Sequence, residues 1–188
     1  MTNFGKSIAM FLVCGSSVFA SQPRDVGFWS MPGVTGVVDE SSMRQVVFYD
    51  TGSAGVRRDL ARGTVKLRYP VTNGPSSFEG FDAAPCMKVS ARDTGASARV
   101  IVRFQRIKVA TGARHTLATY NSDVKVPSDR YQIGGVCRLE DPETGGDFRG
   151  FNYADYNYYV EVEMTKTDAS GNPGIKHVGL FVIMDSPE

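Results

Sequence analysis

The stretch Tyr158–Thr165, YYVEVEMT, decides the fold class. Tyr158, Val160, Val162 and Met164 fall on one side of an extended chain, and Tyr159, Glu161, Glu163 and Thr165 on the other. A period of two marks a strand with one buried and one wetted face. The pattern recurs at Val65, Leu67, Tyr69 and Val71, and again at Ala98, Val100, Val102 and Phe104. Weaker runs at Gln45–Tyr49, Met87–Ser90, Thr116–Tyr120, Tyr131–Leu139 and Ile175–Met184 complete the set. Together they predict about eight to ten short antiparallel strands. No window has helical periodicity beyond one turn near Arg57–Arg62. The chain therefore reads as all-β: a single β-sandwich over residues 21–188, jelly-roll-like, with a closed barrel as the alternative.

Turn residues separate these runs at Asn73-Gly74-Pro75, Asp93-Thr94-Gly95, Thr111-Gly112 and Asp168 to Gly174. In the central run the apolar phase slips. Phe104 keeps step with Val102, whereas Ile107 and Val109 take the opposite parity, so a β-bulge is expected near Gln105-Arg106. Residues 21–44, with Pro23, Pro32, Gly33 and Gly36, do not alternate and predict an irregular N-terminal arm. Trp29, within that arm, is expected in the core.

The first twenty residues carry a different signal. Lys6, the apolar run Ile8 to Val13, and Val18-Phe19-Ala20 follow the order of an export signal cleaved after Ala20. A lipid anchor at Cys14 is disfavoured, because Val13 is not the small residue such anchors place before the cysteine. Cleavage leaves Cys86 and Cys137, and an oxidising compartment would join them. Closing that loop stabilises the fold by about 4 kcal/mol on the chain-entropy estimate. The expected location is secreted or periplasmic.

Charge narrows the partners. The chain has 21 basic and 20 acidic residues; losing Lys6 leaves twenty of each. That balance gives no reason to expect nucleic acid as a partner. After residue 20 no run approaches the roughly 20 apolar residues of a membrane helix, so no integral membrane segment is expected after cleavage.

Signatures of catalysis are absent: no HExxH, no phosphate loop, no dinucleotide fingerprint and only two histidines, His115 and His177. Glu161 and Glu163 share a face, but their alternation with Val160 and Val162 reads as a solvent face rather than a glycosidase pair. The basic cluster Arg57, Arg58 and Arg62 reads as a solvated turn. The richest segment is 140–159. Asp141, Glu143 and Asp147 sit on a glycine-bearing loop and offer oxygen ligands to a structural calcium ion; no other cofactor is expected. Phe148, Phe151, Asn152, Tyr153, Asp155 and Tyr156 then interleave rings with amide and carboxylate groups, the composition of a ligand surface.

The residues thus predict an exported, non-catalytic protein that recognises a glycan, an envelope component or a protein partner through loops and exposed aromatics. A structural or assembly component is the second reading. A hydrolase with an unrecognised carboxylate site is the third.

Overall fold

Each alternating run contributes a strand, and the three strongest turn their apolar side onto a second sheet. The computed structural model describes residues 24–78 and 85–184; the expected export signal, residues 1–20, lies outside them. In chain order the strands are β1 (Arg24–Pro32), β2 (Val37–Val38), β3 (Val46–Tyr49), β4 (Ser53–Val56), β5 (Gly63–Val71), β6 (Pro85–Asp93) and β7 (Ala98–Lys108). There follow β8 (Arg114–Asn121), β9 (Ser128–Cys137), β10 (Glu140–Asp141), β11 (Gly146–Asp147), β12 (Tyr156–Lys166) and β13 (Gly174–Met184). Among the described residues, helical structure is confined to three short 3-10 turns, none long enough to cross a membrane.

One sheet has the order β3-β4-β13-β6-β9, with β1 added to β13; the other runs β2-β5-β12-β7-β8. The strand pairs are antiparallel. Take β4, β5, β6, β7, β8, β9, β12 and β13 as first to eighth. One sheet is then first-eighth-third-sixth and the other second-seventh-fourth-fifth. That interleaving is the jelly roll, in which consecutive strands cross between layers except at the β7–β8 hairpin.

The core is the meeting of the two apolar faces. Val65, Leu67, Tyr69, Val100, Val102, Phe104, Val160, Val162 and Met164 oppose Met87, Val89, Val178, Leu180 and Val182, all buried. Trp29 joins them, as expected. Cys86 and Cys137 are directly opposed on β6 and β9 and form the disulfide.

Two expectations need correction. The arm 21–44 is not irregular throughout: β1 pairs with β13 over nearly its whole length. Its alternation is hidden because the register shifts between Gly27 and Trp29, leaving Phe28 as an extra residue. The bulge expected near Gln105-Arg106 is displaced to the neighbouring strand. β7 pairs with β12 in unbroken register, while the shift lies opposite, where Phe104 meets Ala118 and Gln105 meets Thr116, skipping Leu117. Arg106 therefore stays on the inner face of β7, which is why the apolar phase seemed to slip. Arg57–Arg62 contains a single turn closed by Leu60 N–H to Arg57 O at 3.4 Å, with Arg57 paired to Asp59 at 2.5 Å, and no helix.

Candidate ligand groove

The segment 140–159 separates into three parts with different surroundings. The first rings go inward. Phe148 and Phe151 are 2% and 3% exposed and close one end of the sandwich. Their ring centroids lie 5.2 Å apart, and they touch Phe78 and Phe104. The loop is tied down by its backbone: Phe78 N–H donates to Arg149 O at 2.8 Å, and Phe151 N–H to Pro75 O at 2.9 Å. Gly150, at φ 153°, permits this approach, since a Cβ there would lie 2.2 Å from Ser76 O. Both phenylalanines are therefore corrected from candidate ligand contacts to core residues. Burying two Phe rings is worth several kcal/mol, more than an exposed loop returns.

The acidic loop is also committed. Arg106, its side chain 5% exposed, sends two nitrogens to Asp141 at 3.1 and 2.6 Å and one to Glu143 at 2.9 Å. Its guanidinium lies 4.3 Å from the Tyr156 ring centroid, and the Tyr156 hydroxyl donates to Glu143. Tyr156 is thereby a buried structural residue rather than a ligand platform. Burial alone would raise the Asp141 carboxyl, but hydrogen bonds from Arg106 and from the Glu143 N–H hold it below its ordinary value. The bond from Tyr156 does the same for Glu143. Asp147 lies on β11, paired with Glu140. The three carboxylates expected to share calcium do not converge, and among the described residues no group of three or more His, Cys, Asp or Glu could hold a metal ion. A guanidinium occupies the centre of charge that a cation would need.

Asn152 and Asp155 are exposed and engaged with each other. Asn152 Nδ2 donates to Asp155 at 2.8 Å, and Asn152 Oδ1 accepts from the Ala154 and Asp155 N–H groups. They shape the turn that presents Tyr153.

Tyr153 is the ring left facing solvent, 41% exposed. It stacks on Phe151 at 5.5 Å and 12°, and meets Tyr158 edge-on at 5.3 Å. One face is thus fixed against the core while the other is open. Burial beside Tyr158 pushes its hydroxyl up to about 12, so it stays protonated and can donate. Tyr153 lines a shallow groove of about 630 Å³ together with Val37, Arg68, Pro70, Thr72, Asn157 and Tyr159.

The groove runs over the outward face of β5 and β12. In register, Tyr159 lies between Pro70 and Gln105, and Glu161 between Arg68 and Arg103. The Tyr159 hydroxyl donates to Gln105 Oε1 at 2.5 Å, and the guanidinia of Arg68 and Arg114 each sit 5.8 Å from its ring centroid. Burial raises this hydroxyl also. Glu161 faces outward as the alternation predicts, yet is buried beneath Arg68 at 3.2 Å and Arg103 at 3.8 Å. Glu163 meets Lys66 and Arg103, both at 3.6 Å. The two glutamates are thus neutralised in place.

Sequence reasoning placed Tyr153 among the candidate contacts and Asn157 and Tyr159 in the same aromatic segment without a role, and did not single out Arg68, Gln105 or Arg114. One local signal for Tyr159 existed: it shares the wet parity of Glu161 and Glu163, so its ring belongs to the outer face. The others are united only by cross-strand register.

No protein-family model matches the sequence, and no curated protein matches it. Among solved structures, the chain is similar to a xylan-binding module CBM15 at 13% identity, covering 88% of this chain and 99% of that chain, TM-score 0.42. It is also similar to a family 30 carbohydrate-binding module at 12% identity, covering 85% of this chain and 95% of that chain, TM-score 0.42. A structure of infectious bursal disease virus, Gx strain, matches at 9% identity over 97% of this chain and 36% of that chain, TM-score 0.38. Likenesses of this depth assign neither a family nor a function.

Proposed function

We propose that the protein is an exported, non-catalytic module that binds a glycan along the Tyr153–Tyr159 groove. The observation that carries this reading is the open face of Tyr153, held rigid by its stack on Phe151. Sugar rings bury their C–H faces against such a platform while their hydroxyls exchange hydrogen bonds with nearby polar groups. Asn157, Thr72 and Arg68 line the same groove and supply those groups. Pre-organisation matters because a ring already fixed loses little rotamer freedom on binding. Export is supported by the charge and hydropathy order of residues 1–20 and by the Cys86–Cys137 disulfide, a bond characteristic of oxidising compartments.

Affinity electrophoresis in gels containing a panel of soluble polysaccharides tests the reading, with calorimetry on the strongest hit. Tyr153→Ala should weaken binding about tenfold while leaving the melting temperature within a few degrees. A blank panel, or unchanged affinity for the variant, would contradict the reading.

A second reading, an assembly component, is favoured by one feature. β9 ends its sheet, and Ile133 on it is 65% exposed. An open strand edge with an apolar side chain can add a strand from a partner.

A further inference from the structure

The outward face of the β2-β5-β12-β7-β8 sheet carries more positive charge than the molecule as a whole. Lys66 and Arg68 on β5, Arg99 and Arg103 on β7, and Arg114 on β8 share the parity of Tyr159 or of its register partners. The acidic residues of that face are Glu161 and Glu163. Five cations against two carboxylates leave a surplus of three, on a chain whose formal net charge is +1. The surplus is not evenly spread. Glu161 and Glu163 draw on Arg68, Arg103 and Lys66, whereas Arg99 and Arg114 make no ion pair among the described residues. Arg114 is exposed, yet its guanidinium is held at the Tyr159 ring, on a strand that lies on the other flank of β12 from that of Arg68.

From this arrangement, and resting on the glycan reading above, we infer that the groove takes an acidic glycan, one bearing carboxylate or sulfate groups. A chain lying across the strands passes Arg68 of β5 and reaches Arg114 of β8, whose guanidinia each lie 5.8 Å from the Tyr159 ring centroid and so within about 12 Å of one another. Guanidinium forks match the planar geometry of carboxylate and the oxygens of sulfate. Tyr159, between the two arginines, keeps both heads near the sheet surface through cation–π contact. Neutral sugars would gain from the Tyr153 platform and the polar lining but not from charge pairing, so charge is the element that adds selectivity. Arg114 is the specificity-determining residue because no carboxylate among the described residues pairs with it and because, unlike Arg99, it is held at the Tyr159 ring.

Calorimetric titration with a hexagalacturonate, a sulfated carrageenan oligosaccharide and neutral xylohexaose, at low and high salt, tests this. At least one acidic probe should bind tenfold or more tightly than xylohexaose and weaken as salt rises. The two acidic arms tell carboxylate from sulfate. Arg114→Gln should weaken the acidic probe about tenfold and change xylohexaose less than twofold; Arg62→Gln, on the turn before β5, should change neither. If xylohexaose binds as tightly as both acidic probes, or Arg114→Gln weakens all three alike, the inference fails and the glycan reading stands. If a polyglutamate peptide outcompetes both acidic glycans, the inference fails in favour of a protein ligand. If the protein binds none of the three probes, the inference fails; if the polysaccharide panel is also blank, so does the reading.

Discussion

Arg106 shows how one side chain can decide the fate of a whole segment. It occupies an inward position on β7, where an apolar residue would be expected, and the acidic loop folds over it. A buried charge is tolerable only with its partners in place, and removing one partner leaves the others stranded. Arg106→Met should therefore cost about 3 kcal/mol, read as a fall in the urea midpoint at unchanged slope. The same network sets a pH response. Asp141 and Glu143 lie below their ordinary values when folded, and Asp168 is drawn to about 2 by hydrogen bonds from Ser170 and Ser97. Groups depressed in this way contribute stability above their unfolded values near 4, and lose it as the pH falls through the folded ones. His177 is depressed as well, by burial and then by Lys88, so it resists protonation in the folded state. Thermal melts should show a first decline below about pH 6.5, removed by His177→Gln, and a second below about pH 4 that His177→Gln retains.

At the level of elements, the molecule separates what its sequence mixes. Alternation revealed β5, β7 and β12 because each buries one face and wets the other. It missed β4, whose four small residues are all buried, and β1, where Phe28 breaks the register. The aromatic run after Gly146 was legible as a special segment but not as inside or outside, since a loop has no period to orient its rings. Only packing sends Phe148 and Phe151 inward and leaves Tyr153 out. That packing depends on Gly150, whose positive φ and close neighbour exclude a side chain. Gly150→Ala should destabilise the protein by about 2 kcal/mol and loosen Tyr153, measurable as increased quenching of tyrosine fluorescence. An equal-sized change at Gly146, with only the Thr144 side chain near, should be close to neutral.

Across the whole molecule, the jelly roll brings together residues far apart in the chain. Arg68, Arg114 and Tyr159 belong to three strands and meet only through sheet order, which local pattern does not record. The disulfide acts at the same scale. It joins β6 to β9 across 51 positions, and replacing both cysteines by alanine should cost about 4 kcal/mol in a denaturant titration. The central claim, that the outward face of the five-stranded sheet is the binding surface, is tested most directly by amide chemical-shift mapping of the labelled protein during titration with its best-binding polysaccharide fragment. Shifts should gather at Arg68, Thr72, Tyr153, Asn157 and Tyr159. Shifts gathered instead along β9 and Ile133, or spread without a centre, would contradict it.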